Sequence, residues 1–209
     1  MARKKGVNNK NKKEKKRRKI YLFLEGEKNC SEHLYLTNYY NSFKTRAIDV
    51  DFYFFPSKGG DWKNIKRIVD KEIKRSKHEN FEVWCVMDKD QNNLELIKKE
   101  CSKEGYTLVF SNISFEIWLL YHYYKYDEIG ECNKKKYIKK LEKKLGKGYE
   151  KSKGINISEK ERKMAIQNSK VRHKMCLRDN ISLDEAYNCT NFYEIIEKID
   201  EAFKERKIK

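Results

Sequence analysis

Short, uninterrupted apolar runs that stop abruptly on acidic residues constrain this chain more than any other feature. Ile20-Tyr21-Leu22-Phe23-Leu24 is too short for a helix and runs directly into Glu25-Gly26-Glu27. Phe81 to Met87 runs in the same way into Asp88-Lys89-Asp90. A run without polar alternation suits a strand buried on both faces, as in parallel sheets covered by helices.

The segments between these runs read as helices. From Ser31 onward, Leu34, Leu36, Tyr39 and Tyr40 recur at helical spacing. Residues 48–55 begin by alternating and end aromatic, which predicts a second strand ended by Pro56. Gly59-Gly60 gives a turn. Asp61 is then placed to cap a helix carrying Trp62, Ile65, Val69 and Ile73 on one face, to about Lys77. Leu94, Ile97 and Cys101 mark the next helix, with Gly105 as its C-terminal cap. Thr107 to Phe110 is a fourth strand, and Ser114 caps an aromatic-rich helix from Phe115 to about Tyr126. This alternation predicts a doubly wound, mostly parallel four-stranded sheet with helices on both faces.

Beyond residue 130 the pattern is helical only. Tyr137, Leu141 and Leu145 precede Gly146, Ser158 with Glu161 forms a capping box, and Phe192, Ile195, Ile199 and Phe203 define a last helix. The expected organisation is a disordered basic tail over 1–19, an α/β domain over 20–130, and a helical basic elaboration over 131–209 packed on that domain.

Charge follows the same division. Residues 1–19 hold eleven Lys/Arg against one Glu, and residues 131–178 hold seventeen against five. The body between, 20–130, is nearly neutral, with sixteen basic and eighteen acidic residues. Two basic blocks flanking an acidic centre favour a polyanionic partner, a nucleic acid. No apolar stretch is long enough to span a bilayer, and the N-terminal residues lack the apolar core of a signal peptide. Six cysteines without a C-x-x-C pair read as free thiols in a reducing cytosol, so the expected location is cytoplasmic. Cys30 and His33 form a C-x-x-H with no second pair of ligand spacing, which argues against a structural zinc.

In an open parallel sheet, ligands sit beyond the carboxyl ends of the strands, where strand order reverses. If the first and third strands are neighbours, Glu25, Glu27, Asp88 and Asp90 converge there. Carboxylates packed together repel and raise each other's pKa, and a divalent cation removes that penalty. Hard oxygen donors with no nearby His or Cys partner favour Mg²⁺, or Mn²⁺, over zinc. Asp88 and Asp90, one residue apart on an extended segment, point the same way and can address one metal. Gly26 fits a special dihedral or a close backbone approach. For Asp90 an ordinary role as a helix cap near Asn92 stays open, and for Glu27 a solvated loop.

These residues resemble a known pattern. Glu25-Gly26 after a first strand, with Asp88-x-Asp90 after a later one, resembles the TOPRIM motif pair. Glu25-Gly26-Glu27-Lys28, Trp84 to Asp90, Ser111-Asn112-Ile113-Ser114-Phe115-Glu116-Ile117-Trp118-Leu119-Leu120-Tyr121-His122 and a late Asn188-Cys189-Thr190 are together similar to the RloB family. The similarity spans residues 20 to about 203. This chain departs from the family pattern by Asn29 and Cys30 before Ser31-Glu32, which leaves the role of Glu32 open. Ile113 and Ser114 also stand where the family has Pro and Cys.

The resemblance implies a TOPRIM-like fold and a Mg²⁺-dependent action on phosphodiester bonds. It also implies a role in bacterial defence against phage, in company with an ATPase partner. Glu25 would then be the general acid/base or a metal ligand, Asp88 and Asp90 would hold the metal, and Glu116 would be a site residue. Without the resemblance, Glu116 is explained by the dipole of its helix, and His122 reads as a core residue among tyrosines. Phe115, Trp118 and Tyr121 read as core packing rather than a base-stacking stripe. Lys28, Lys134, Lys135 and Lys136 are the expected nucleic-acid contacts.

Three other readings compete. A receiver-like domain needs a fifth strand followed by Lys, and a nucleotide-sugar transferase leaves the basic blocks unexplained. The third is a non-catalytic module that binds nucleic acid or an ATPase partner.

Overall fold

The computed structural model describes residues 18–43, 50–57, 60–76, 81–90, 92–146 and 148–204. Residues 1–17 of the basic tail and the Gly59 turn lie outside them. In chain order the elements are β1 (Arg18–Glu25), α1 (Ser31–Asn41), β2 (Val50–Ser57), α2 (Trp62–Arg75), β3 (Phe81–Asp88), α3 (Leu94–Glu104) and β4 (Thr107–Asn112). There follow α4 (Glu116–Tyr121), α5 (Tyr126–Ile129), α6 (Lys134–Leu145), α7 (Glu159–Arg178), β5 (Cys189–Thr190) and α8 (Tyr193–Lys204).

The strands form one sheet in the order β2-β1-β3-β4-β5. β1 pairs in parallel with β2 and β3, β3 pairs in parallel with β4, and β5 is antiparallel to β4. The chain leaves β1 for β2 on one side and returns to β3 on the other. Strand order therefore reverses between β1 and β3, and the carboxyl ends of these two strands flank the crevice.

Both faces of the sheet are covered, which is why β1 and β3 read as continuous apolar runs. Ile20, Leu22 and Leu24 pack with Trp118, Phe192 and Ile196 on one face. Tyr21 and Phe23 pack with Ile65, Val69 and Ile97 of α2 and α3 on the other. Asp61 caps α2 by accepting from Asn64 N–H, and Ser158 and Glu161 form the capping box of α7. Gly105 and Gly146 close α3 and α6 as expected.

Four expectations are corrected. The sheet has five strands rather than four, because Cys189–Thr190 joins its edge inside the region read as helical only. Two residues carry too little periodicity to announce a strand. Side chains tie it in place instead: Thr190 Oγ1 donates to Phe110 O at 2.7 Å, and Asn191 Nδ2 donates to Leu108 O at 3.0 Å. Pro56 lies within β2 rather than ending it. β2 is an edge strand, where the missing N–H costs no ladder bond.

The third correction concerns α4, which stops at Tyr121 rather than continuing to Tyr126. Asn168 of α7 donates to the carbonyls of Tyr121 and Tyr124, both at 3.0 Å, and so takes the place of the next helical turn. Lastly, Ser114 does not cap α4, because its hydroxyl donates to Glu116 Oε2 at 2.6 Å.

Candidate functional site

Glu25 is the last residue of β1 and Asp88 the last of β3, so the two side chains stand on either side of the switch point. Gly26 follows with φ of 132°, a backbone conformation that L side chains rarely adopt. The chain then turns into α1, whose second residue is Glu32, 6% exposed. From β4, the turn through the cis Asn112–Ile113 peptide delivers Glu116 into the first turn of α4, with no exposed surface. Four carboxylates from four elements thus face one another. Burial raises the Asp88 pKa well above the usual carboxylate range, and Glu32, Glu25 and Glu116 raise it further.

The four are held differently. Glu25 Oε2 accepts from the Asp88 backbone N–H at 2.7 Å and from the Asn92 side-chain amide at 3.1 Å. Burial outweighs both bonds and pushes Glu25 up to about 7. Gly60 closes over the same carboxylate, since a Cβ there would meet Glu25 Oε1 at 2.5 Å. Burial also pushes Glu32 up to about 7, against the pull of its own helix amide and of Lys151. Glu116 goes the other way. Burial alone would raise it, but the Lys151 ammonium at 3.0 Å and the Ser114 hydroxyl hold it below its ordinary range. Tyr149 donates to Glu116 Oε1 at 3.4 Å and shares a hydrogen bond with Ser31 Oγ at 2.7 Å. Lys151 therefore serves the cluster unevenly: Glu116 is well paired, Glu32 and Asp88 are only partly relieved, and Lys134 adds to Glu32 from the rim.

Of the residues named from sequence, Glu25, Asp88 and Glu116 come together. Asp90 is exposed and pairs with Lys134 at 3.1 Å; its charge still reaches Glu25 from the rim. Lys134 is thus part of the cleft edge rather than a free cation. Lys136 pairs with Glu131, while Lys135, Lys28 and Glu27 are exposed. The Asp90 cap suggested for α3 is replaced by Asn93, which accepts from Leu96 N–H at 2.8 Å. His122 is buried between Tyr35 OH and Trp118 O, both at 3.0 Å, and Phe115, Trp118 and Tyr121 are core.

Sequence reasoning missed Glu32, Lys151, Tyr149, Asn92 and Gly60. Glu32 carried a signal, the motif position that the Asn29-Cys30 insertion put out of register. Lys151 and Tyr149 carried none, because they sit in a polar loop that only the fold brings to the cleft.

Hard carboxylate oxygens in excess of local positive charge suit a divalent cation by their chemistry. As the side chains stand, no group of three or more His, Cys, Asp or Glu among the described residues is arranged to hold a metal ion. Among those residues, too, no helix is long and apolar enough to cross a membrane. All six cysteines are free.

Fold and cleft together define a mixed α/β protein with a mostly parallel sheet that gathers buried and half-buried carboxylates at its switch point. The chain belongs to the RloB-like protein family, whose model matches residues 20–199. No curated protein and no solved structure matches it.

Proposed function

We propose that this protein is a metal-dependent nuclease of TOPRIM type that hydrolyses phosphodiester bonds of DNA or RNA in bacterial anti-phage defence, in the cytoplasm. The observation that carries the reading is the meeting of Glu25 and Asp88 across the switch point with Glu32 and Glu116 beside them. A cluster with unneutralised acids is costly to the fold, and a hard cation offsets that cost. Glu25, Asp88 and Glu32 are the residues that would hold Mg²⁺, or Mn²⁺, with Asp90 at the rim. The cation would supply polarisation of the scissile phosphate and neutralise charge developing there.

The chain's own residues have separate tasks. Asn92 and the Asp88 amide orient Glu25. Lys151 and Ser114 keep Glu116 ionised, and Glu116 in turn fixes Lys151 at the cleft. Lys134, Lys135, Lys136 and Lys28 would draw the polyanion towards the rim.

The test is cleavage of mixed DNA and tRNA substrates by the full chain with Mg²⁺, Mn²⁺ or chelator, beside an Asp88→Asn/Asp90→Asn control. Cutting that needs metal and vanishes in the control is the expected result. A second reading, a non-catalytic module binding nucleic acid or an ATPase partner, is favoured by one observation: Glu25 and Glu116 are already engaged by protein donors. No cutting, with no metal binding by calorimetry, would establish that reading instead.

A further inference from the structure

A cavity of about 270 Å³ opens between α1, the loop leading to α7, and the start of α7. It adjoins the acidic cleft and shares a wall with it. Ser31 and Tyr149 line the cavity, and their mutual hydrogen bond continues to Glu116 through the Tyr149 hydroxyl. Tyr35, Tyr39 and Arg162 also line it. The Arg162 guanidinium lies 4.2 Å from the Tyr39 ring centroid, which makes a flat cationic surface.

Arg162 is half-buried at the cavity wall. Its Nε is buried with no hydrogen-bond partner, and among the described residues no carboxylate pairs with it at salt-bridge distance. An arginine left in this state lacks the planar acceptor its fork is shaped for. The hydroxyl of Tyr35 on α1 is within its reach, but no carboxylate there is: Tyr39 OH goes to Asp200, and Glu161 is taken up by Ser158. Asn38 and Asn156 add amide donors and acceptors to the wall, and Lys153 adds a cation.

We propose that this cavity binds a single nucleotide unit, its phosphate on Arg162 and its base against the tyrosine and guanidinium faces. Three features select that ligand class. The volume of about 270 Å³ falls just below the usual small-molecule range of about 300–1,000 Å³ and limits the ligand to a single unit. Aromatic and guanidinium faces accept any base by stacking. An arginine with an orphaned Nε and, among the described residues, no carboxylate partner calls for a phosphate or carboxylate rather than a neutral ring. The shared wall places such a nucleotide next to the carboxylates, so the cavity would serve as the subsite holding a nucleotide beside the bond to be cut. That placement rests on the nuclease reading, whereas the binding itself does not.

The experiment is titration calorimetry of the full chain in chelator with 5′-nucleoside monophosphates, a short single-stranded oligonucleotide and inorganic phosphate. Arg162→Ala, Arg162→Lys and Gly154→Leu are run in parallel. A Cβ on Gly154 would meet Asn38 Nδ2 at 3.0 Å, so a leucine there fills the cavity from an exposed loop without touching the core. Mononucleotide binding that weakens by about tenfold or more in Arg162→Ala and Gly154→Leu supports the proposal, with inorganic phosphate binding far more weakly. Binding of the oligonucleotide by the same residues supports the strand subsite. Binding of the mononucleotide alone keeps the pocket and separates it from strand handling. Phosphate binding as well as the nucleotide, or variants that bind like the wild type, overturns the proposal. Because no metal is present, loss of cleavage in the previous assay and loss of binding here are independent results.

Discussion

Two polar constellations flank the carboxyl-terminal half of β4, and they are built on different terms. The network joining β4 to β5 uses neutral groups with a single carboxylate at its edge, Glu194, which accepts from Asn191 Nδ2 at 3.3 Å. Asn191 Oδ1 accepts from Phe110 N–H at 2.7 Å, Thr190 Oγ1 accepts from Phe192 N–H at 3.1 Å, and Ser169 Oγ donates to Thr190 O at 2.7 Å. The cleft beyond β4 packs Glu25, Glu32, Asp88 and Glu116 around Lys151, with Lys134 at the rim. A satisfied neutral network holds an edge strand, whereas an unneutralised acidic one stores repulsion that only a ligand or a proton relieves. Burial and mere polarity do not separate a structural site from a functional one; the balance of charge does.

Four outcomes would break or sharpen that contrast. The largest falls on Asp88→Asn, which removes a charge the fold opposes. Metal-dependent cleavage is expected to fall about a hundredfold or more. Stability at pH 7.5, by urea unfolding, is expected to rise by about 1–3 kcal/mol. A variant less stable than the wild type would make the cleft a structural network like its neighbour.

Asn191→Ala should do the reverse. It leaves Phe110 N–H and Leu108 C=O without partners, removes a donor from Glu194, and is expected to cost about 2–5 kcal/mol. A cost below about 1 kcal/mol would show that β5 is held without this network.

The third outcome concerns pH itself. Folded Glu32 keeps its proton up to about 7, whereas the unfolded chain releases it near 4.5. The folded state therefore binds more protons in that window, and this contribution to stability falls as pH rises through it. His122 opposes the trend. Burial lowers it from 6.5 to about 4, so stability is lost as pH falls across that range. The difference between wild type and Glu32→Gln cancels the histidine. Glu32→Gln is expected to gain about 1–3 kcal/mol on the wild type between pH 5 and pH 8, and added Mg²⁺ should shrink the gap. A difference flat with pH would remove Glu32 from the coupled cluster.

The smallest effect on the fold belongs to the rim. Lys134→Ala, Lys135→Ala and Lys136→Ala together should shift stability by no more than about 1 kcal/mol, because their ion pairs are solvated. The slope of log affinity for nucleic acid against log salt should drop by about 1–3. An unchanged slope would move the polyanion contact elsewhere.

What the sequence determined was whatever depends on neighbours along the chain. The apolar runs of β1 and β3, the Asp61 and Ser158 caps and the Gly105 and Gly146 stops are local, and the structure has them where the pattern put them. Glu25 and Asp88 were legible because strand ends are local features and the switch-point rule turns two ends into one crevice. Tertiary structure decided the rest. Two-residue β5 exists because Thr190 and Asn191 find partners on β4, some eighty residues away in sequence. α4 ends early because Asn168 of another helix takes its carbonyls. Lys151 reaches Glu116 from a loop whose composition announces nothing. Proton affinity in the cleft is likewise a property of burial and of charges brought near by the fold, and no residue's order in the chain encodes it.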